Sequence, residues 1–111
     1  MAYNTVVVFL ETSAFSRKIR ELLPDEEYRL LQLALVRRPG LGGVIPGAGG
    51  IRKARWSAPG RGKRGGARII YYWQVGSDRF YMLLAYPKSE RDNLTAEQVK
   101  ILRRLVKEEF G

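Results

Sequence analysis

The side chains able to do chemistry in this chain are few in kind. Its 111 residues include no histidine and no cysteine. That removes the usual general base, the usual zinc ligands, disulfides, and any Ser-His or Cys-His arrangement. Arginine, lysine and tyrosine remain. Lys plus Arg number 20 against 11 Asp plus Glu, a net charge of +9. The excess is concentrated. From Tyr28 to Ser77 there is no acidic residue, and these 50 residues hold ten cations: Arg29, Arg37, Arg38, Arg52, Lys53, Arg55, Arg61, Lys63, Arg64 and Arg68. The rest of the chain holds ten cations and eleven acids. A field of this kind attracts polyanions, RNA or DNA first among them. The bland alternative is a solvated, solubilising surface; the complete absence of acid across the segment favours nucleic acid.

The spacing of these cations suggests where they meet. In "IRKARWS" (51–57) the residues alternate. If Ala54 and Trp56 face a core, Lys53 and Arg55 point the other way, side by side at about 7 Å on one face of a strand. In "ARIIYYWQV" (67–75), Arg68, Ile70, Tyr72 and Gln74 share a face, and Ile69, Tyr71, Trp73 and Val75 share the other. Lys53, Arg55 and Arg68 then converge on one face of a sheet. Tyr72 lies on the Arg68 side and is the aromatic best placed to stack a base; Tyr71 and Trp73 read as core. Lys53 and Arg55 also have a plain reading, as charges guarding an edge strand against aggregation.

Between those strands lies Gly60-Arg61-Gly62-Lys63-Arg64-Gly65, a literal G-x-G-x-x-G. A phosphate-cradling loop needs its glycines after a strand and at the start of a helix, where free N–H groups and the helix dipole meet the anion. Here a β-branched, aromatic run follows instead, and no Ser or Thr follows Gly62-Lys63 to hold magnesium. The match is therefore spurious. The glycines permit close backbone approach, and Arg61, Lys63 and Arg64 work through their side chains, gripping an RNA backbone.

Several elements must position these groups. "YNTVVVFL" (3–10) reads as a strand apolar on both faces, hence interior. Thr12 or Ser13 can cap a helix carrying Phe15, Ile19, Leu22 and Leu23. Pro24 interrupts it, and Asp25 caps a second helix with Tyr28, Leu31 and Leu35 on one track and Leu30, Leu33 and Ala34 beside it. Arg37-Arg38 and Pro39-Gly40 end it. "PGLGGVIPGAGG" (39–50) is turn-rich, with a short strand at Val44-Ile45. Gly76-Ser77-Asp78 makes a hairpin turn into "RFYMLLAYP" (79–87), apolar almost throughout as a central strand is. Thr95 and Gln98 form a capping box for a helix striped by Ile101, Leu102, Leu105 and Val106, a stripe read as core rather than as a partner groove. The order indicates an α+β fold: a small twisted, mainly antiparallel sheet with an N-terminal αα-hairpin and a C-terminal helix, the helices on one face.

Length bounds the chain to one domain, residues 1–111. The N-terminus has no basic region before its short apolar run and no cleavage pattern, as expected of a cytoplasmic protein. No apolar stretch approaches the roughly 20 residues of a membrane span, so no membrane association is expected.

The runs "GGIRKARW", "GKRGGARIIYYW" and "FYMLLAYPKSERDNLTAEQ" resemble the HigB-type branch of the RelE/ParE toxins of type II toxin–antitoxin modules. The resemblance extends to "DEEYRLLQLALVRRPGLGGVIPGAGG" and so covers nearly the whole chain. It implies a RelE-like, microbial-RNase-like α+β toxin that enters the ribosomal A site, cleaves the mRNA there and stops translation. It implies as partners the ribosome and mRNA, and a cognate HigA-like, DNA-binding antitoxin through which the pair reaches its operator DNA. Residue by residue, the resemblance puts catalysis on Lys53 and Arg55, on Arg68 as the contact to the scissile phosphate, and on Lys88 beside Tyr86. The tyrosine that RelE toxins carry in the C-terminal segment has no counterpart in "KSERDNLTAEQ", and the histidines of some HigB toxins are missing too.

Such a reaction needs a base for the ribose 2′-OH, positive charge on the equatorial phosphate oxygens and an acid for the leaving 5′-oxygen. Arginine suits the phosphate because its fork is bidentate and always charged. Neither a metal nor another cofactor is expected, since no carboxylate cluster lies near the basic residues. Two other functions fit the same sequence: a ParE-like inhibitor of DNA gyrase, and a non-catalytic RNA- or DNA-binding module.

Overall fold

The computed structural model describes residues 7–57, 66–91 and 93–110. Its elements run β1 (Val8–Glu11), α1 (Ser13–Leu22), α2 (Asp25–Arg37), β2 (Gly43–Val44), β3 (Arg52–Ser57), β4 (Gly66–Trp73), β5 (Arg79–Pro87) and α3 (Ala96–Phe110). The strands form a single five-stranded sheet in the order β1-β5-β4-β3-β2. β1 runs parallel to β5, and every other pairing is antiparallel. The fold is α+β, as the element order indicates.

Alternation along β4 divides the molecule into two cores. Ala67, Ile69 and Tyr71 join Phe15, Ile19, Leu31 and Leu35 under α1 and α2. Ile70 joins Ile51, Leu83 and Tyr86, with Leu102 and Val106 of α3. The expectation of helices on one face is thereby corrected: α1 and α2 cover one face and α3 the other. The physical reason lies in β4 and β5, which are apolar on both sides and need cover on both.

β1 corrects a second expectation. It is an edge strand, not an interior one, and it starts at Val8; residues 1–6 lie outside those described. Leu10 is 42% exposed, so the apolar run there reflects β propensity more than burial. β1 leads into α1 through Thr12, whose hydroxyl oxygen accepts from the Phe15 N–H at 3.0 Å and whose hydroxyl donates to the Leu83 carbonyl at 2.8 Å. That carbonyl belongs to an irregularity: Ile70 pairs with Leu84 but Tyr71 pairs with Met82, so β5 has one extra residue, Leu83. The cap of α1 thus also satisfies a carbonyl that the bulge takes out of the ladder. For α2 the N-cap is Pro24, with no side-chain cap. Asp25 lies inside the first turn with Glu26 and Glu27, where three carboxylates answer the helix dipole instead.

The turn-rich segment after α2 is fastened to the sheet by Tyr71. Its buried hydroxyl donates to the Pro39 carbonyl at 2.7 Å and accepts from the Gly42 N–H at 2.9 Å. Arg52 adds a bond from Nη1 to the Gly42 carbonyl at 2.8 Å. Gly42 is required there, since a Cβ would fall 2.7 Å from the Lys53 carbonyl carbon. β2 is then laid against Arg52 and Lys53.

Burial raises the pKa of Tyr71, and burial together with the hydrogen bond to Glu11 raises that of Tyr28. Both phenols are therefore more readily kept protonated in the folded state, and their contribution to stability is present below about pH 10 and lost as pH rises through the folded values. Tyr71→Phe should cost about 1–3 kcal/mol, because a buried N–H and carbonyl lose their partner. Urea melts at pH 8 and pH 10.5 check both points: the variant should be weaker at the lower pH and should lose less between the two.

Candidate nucleic-acid interface

The sheet register brings the predicted cations into a row. Arg55 on β3 lies opposite Arg68 on β4, and Arg68 lies opposite Tyr86 on β5. Lys53 lies opposite Ile70, one step along the same face. Cross-strand partners have Cβ atoms about 5 Å apart, so this is a compact ladder. Its two ends differ in setting. Arg55 is exposed. Arg68 is only 6% exposed and Tyr86 only 5%. The central cation is recessed in the sheet, and two arginines occupy directly opposed positions across strands.

Lys88 completes the row. It follows β5 directly, its N–H donates to the Gly66 carbonyl at 2.9 Å, and its side chain runs past Gly66. Arg55, Arg68 and Lys88 line one pocket of about 370 Å³ together with Trp56, Ser57 and Gly66. Its described lining therefore holds three cations and no carboxylate. Two planar forks and one ammonium around a shared opening are groups suited to an anion.

Lys53 is not fully turned to solvent, as a simple alternating strand suggests. It is half-buried, and its Nζ donates to Asn93 Oδ1 at 2.7 Å. It borders a second pocket, also touched by Arg55. Tyr72 packs beside Tyr81 with ring centroids 6.3 Å apart, and the Gly50 backbone comes close to its ring. It is half-buried against the α3-side core rather than presented as a free stacking platform. Arg61, Lys63 and Arg64 lie outside the described residues, as does the whole G-x-G-x-x-G run. The segments flanking it are strands, with Ser57 paired to Gly66, so no helix starts at its end.

Sequence reasoning missed the loop between β5 and α3. Arg91 sits with its guanidinium carbon 5.9 Å from the centroid of the Tyr86 ring, and its Nη1 donates to Gln98 Oε1 at 2.9 Å. The same oxygen accepts the Thr95 N–H, while Thr95 Oγ1 accepts the Gln98 N–H. The capping box was legible in "TAEQ"; its second use, clamping Arg91 over Tyr86, depends on a pairing seven residues apart that no local signal marks. Among the described residues no group of three or more Asp or Glu is placed to hold a metal ion. No helix among them is long and apolar enough to cross a membrane.

A family model described as the RelE toxin of the RelE/RelB toxin–antitoxin system matches residues 9–111. The chain belongs to this family. The match takes in all three helices and the whole sheet but Val8, so the cationic ladder lies within the shared domain. As a RelE-family protein the chain is a toxin of a toxin–antitoxin system, and its family implies an antitoxin as partner.

An anion that binds among Arg55, Arg68 and Lys88 should stabilise this RelE-family fold. At ten times its Kd, sulfate should add about 1.4 kcal/mol. Thermal melts against sulfate, at constant ionic strength set with chloride, should show a rise in Tm that shrinks in Arg55→Ala and in Lys88→Ala.

Proposed function

We propose that this chain is a HigB-type, ribosome-dependent mRNA endoribonuclease, acting as one domain, and that it stops translation by cutting mRNA in the ribosomal A site. The observation that carries this reading is the recessed Arg68 between Arg55 and Tyr86, with Lys88 on the same pocket. A surface that only attracts nucleic acid needs no buried cation. A site that must bear on one phosphate does, because a guanidinium held away from water acts more strongly on developing charge.

The reaction is a transesterification. The ribose 2′-oxygen attacks the adjacent phosphorus in line, and the bond to the 5′-oxygen breaks. The 2′-hydroxyl gives its proton to a base, and the departing 5′-oxygen takes one from an acid. The products are a 2′,3′-cyclic phosphate and a 5′-hydroxyl. Arg68 and Arg55 hold the non-bridging oxygens. Arginine cannot give up its proton in a protein, so proton transfer falls to Lys53, Tyr86 and Lys88. Arg61, Lys63 and Arg64 grip the RNA around the cut, a role the packing of Tyr72 against the α3-side core leaves it unsuited to share. The ribosome supplies the orientation of the substrate, which is why so sparse a set of groups suffices. The partner that restrains it is a HigA-like, DNA-binding antitoxin that carries the pair to its operator. A net charge of +9 suits an acidic antitoxin segment.

Cleavage in a purified translation system, read by mapping mRNA 5′ ends, tests the reading. Arg68→Ala should slow cutting roughly 10²-fold or more, and Arg68→Lys should recover only part of that. Arg38→Ala, on the exposed end of α2, should change little. A 2′-deoxy residue at the cut site should abolish cleavage. Intact mRNA together with inhibited gyrase supercoiling would favour a ParE-like toxin, and ribosome binding with no cutting a non-catalytic module.

A further inference from the structure

One side of α2 lacks cover among the described residues. Leu31 and Leu35 are fully buried in the core beneath the sheet, yet Leu30 is 47% exposed, Leu33 47% and Val36 42%. A helix apolar on both sides is ordinarily one buried on both sides. At 3.6 residues per turn, Glu26, Leu30, Leu33 and Arg37 fall on a single stripe that turns away from Leu31 and Leu35. Glu26 and Arg37, at its two ends, are exposed, and neither makes an ion pair with a described residue. The stripe is remote from the cationic pocket. Arg68 shares its side of β4 with Ile70, in the core under α3, whereas α2 covers the other face of the sheet.

We propose that this stripe joins two copies of the chain, α2 against α2, antiparallel about a twofold axis. The stripe complements itself in that orientation. Each Leu30 lies against Leu33 of the other copy, and each Glu26 against Arg37. The alternating spacing of four, three and four residues is that of a coiled-coil seam. The charges choose the direction. Asp25 and Glu26 stand at the start of α2, Arg37 and Arg38 at its end. Parallel helices would set like charge on like, and antiparallel ones set opposite on opposite. A twofold contact needs one patch that fits itself, and an acid–Leu–Leu–base stripe does. A partner of one sign of charge matches only one end of the stripe; a second copy matches both. Contact along helices about 20 Å long stays below the roughly 1,200 Å² of a standard interface, so the dimer is weak and concentration-dependent. Its two cationic pockets lie on the far sides of the two sheets, both open. Nothing in this pairing rests on the nuclease reading.

Sedimentation equilibrium of the purified full chain, freed of any antitoxin, tests this. The average mass should climb from one chain toward two across the micromolar to millimolar range. Glu26→Arg and Arg37→Glu each set like charges at both end contacts, and each alone should weaken association roughly tenfold or more. Mixed in equal amounts, the two variants should associate again, because one stripe is then basic at both ends and the other acidic at both. The double variant Glu26→Arg/Arg37→Glu should also recover association. Leu33→Asp should leave a monomer with an unchanged circular dichroism spectrum and melting temperature, since that side chain is exposed. A chain that stays monomeric throughout the range, a dimer that survives Leu33→Asp, or single variants that fold but stay apart when mixed overturns the pairing. So does a monomer whose α2 amides become protected from hydrogen exchange only when antitoxin or RNA is added, since the stripe then belongs to that partner.

Discussion

A slip of one residue in β4 would send the Arg68 side chain into the core under α1 and α2 and turn Ile69 toward the cationic pocket. Everything at the site depends on preventing that slip. The register is held from both sides. Tyr71 drops its ring into the larger core and reaches two backbone groups beyond it, at Pro39 and Gly42. Moving Tyr71 to the other face would strand both groups. On the β5 side the extra residue at Leu83 fixes the offset, and Thr12 holds that residue's carbonyl. The alternation that puts Ile69 and Tyr71 down therefore puts Arg68 up, and with it the partners Arg55 and Tyr86.

The ladder is unfavourable taken alone. Two guanidinium groups on directly opposed positions repel, and Arg68 is only 6% exposed. The neighbouring structure is held rigid at both ends of the ladder. Gly42 brings β2 against β3 at backbone contact distance, which holds the Lys53 end. The Gln98 carbonyl holds both the start of α3 and Arg91, which holds the Tyr86 end. Polar stiffening at both ends thus frames a centre whose described pocket lining holds three cations and no carboxylate.

Much of this was legible because period-two alternation is a local property. Ala54 and Trp56 against Lys53 and Arg55, and Ile69 and Tyr71 against Arg68 and Tyr72, follow from β geometry alone. The capping box at Thr95 and the turn at Gly76, which has φ of 87°, are equally local. What escaped was long-range. Nothing in "VVVFL" says that its strand ends at a sheet edge, since edge and interior strands share the same propensities. Nothing in the apolar stripe of α3 says which face of the sheet it covers; only the double-sided burial of β4 and β5 decides that. Asn93 and Arg91 escaped because their partners, Lys53 and Tyr86, lie on other strands. The RelE family match was legible from the cation-rich runs around β3 and β4.

The absence of histidine is less of a handicap than it first looks. A histidine base is useful because it exchanges a proton near neutral pH with no help from its neighbours. The row of Lys53, Arg55, Arg68, Tyr86 and Lys88, in which no described pocket-lining residue is acidic, gathers in one place the groups that a site without histidine has at hand. Under the proposed reaction these cations both attract an RNA substrate and complement the charge of its transition state. One carboxylate placed among them would weaken both effects together, so in that proposal the acid-free stretch from Tyr28 to Ser77 bears on the chemistry as much as on the attraction for RNA.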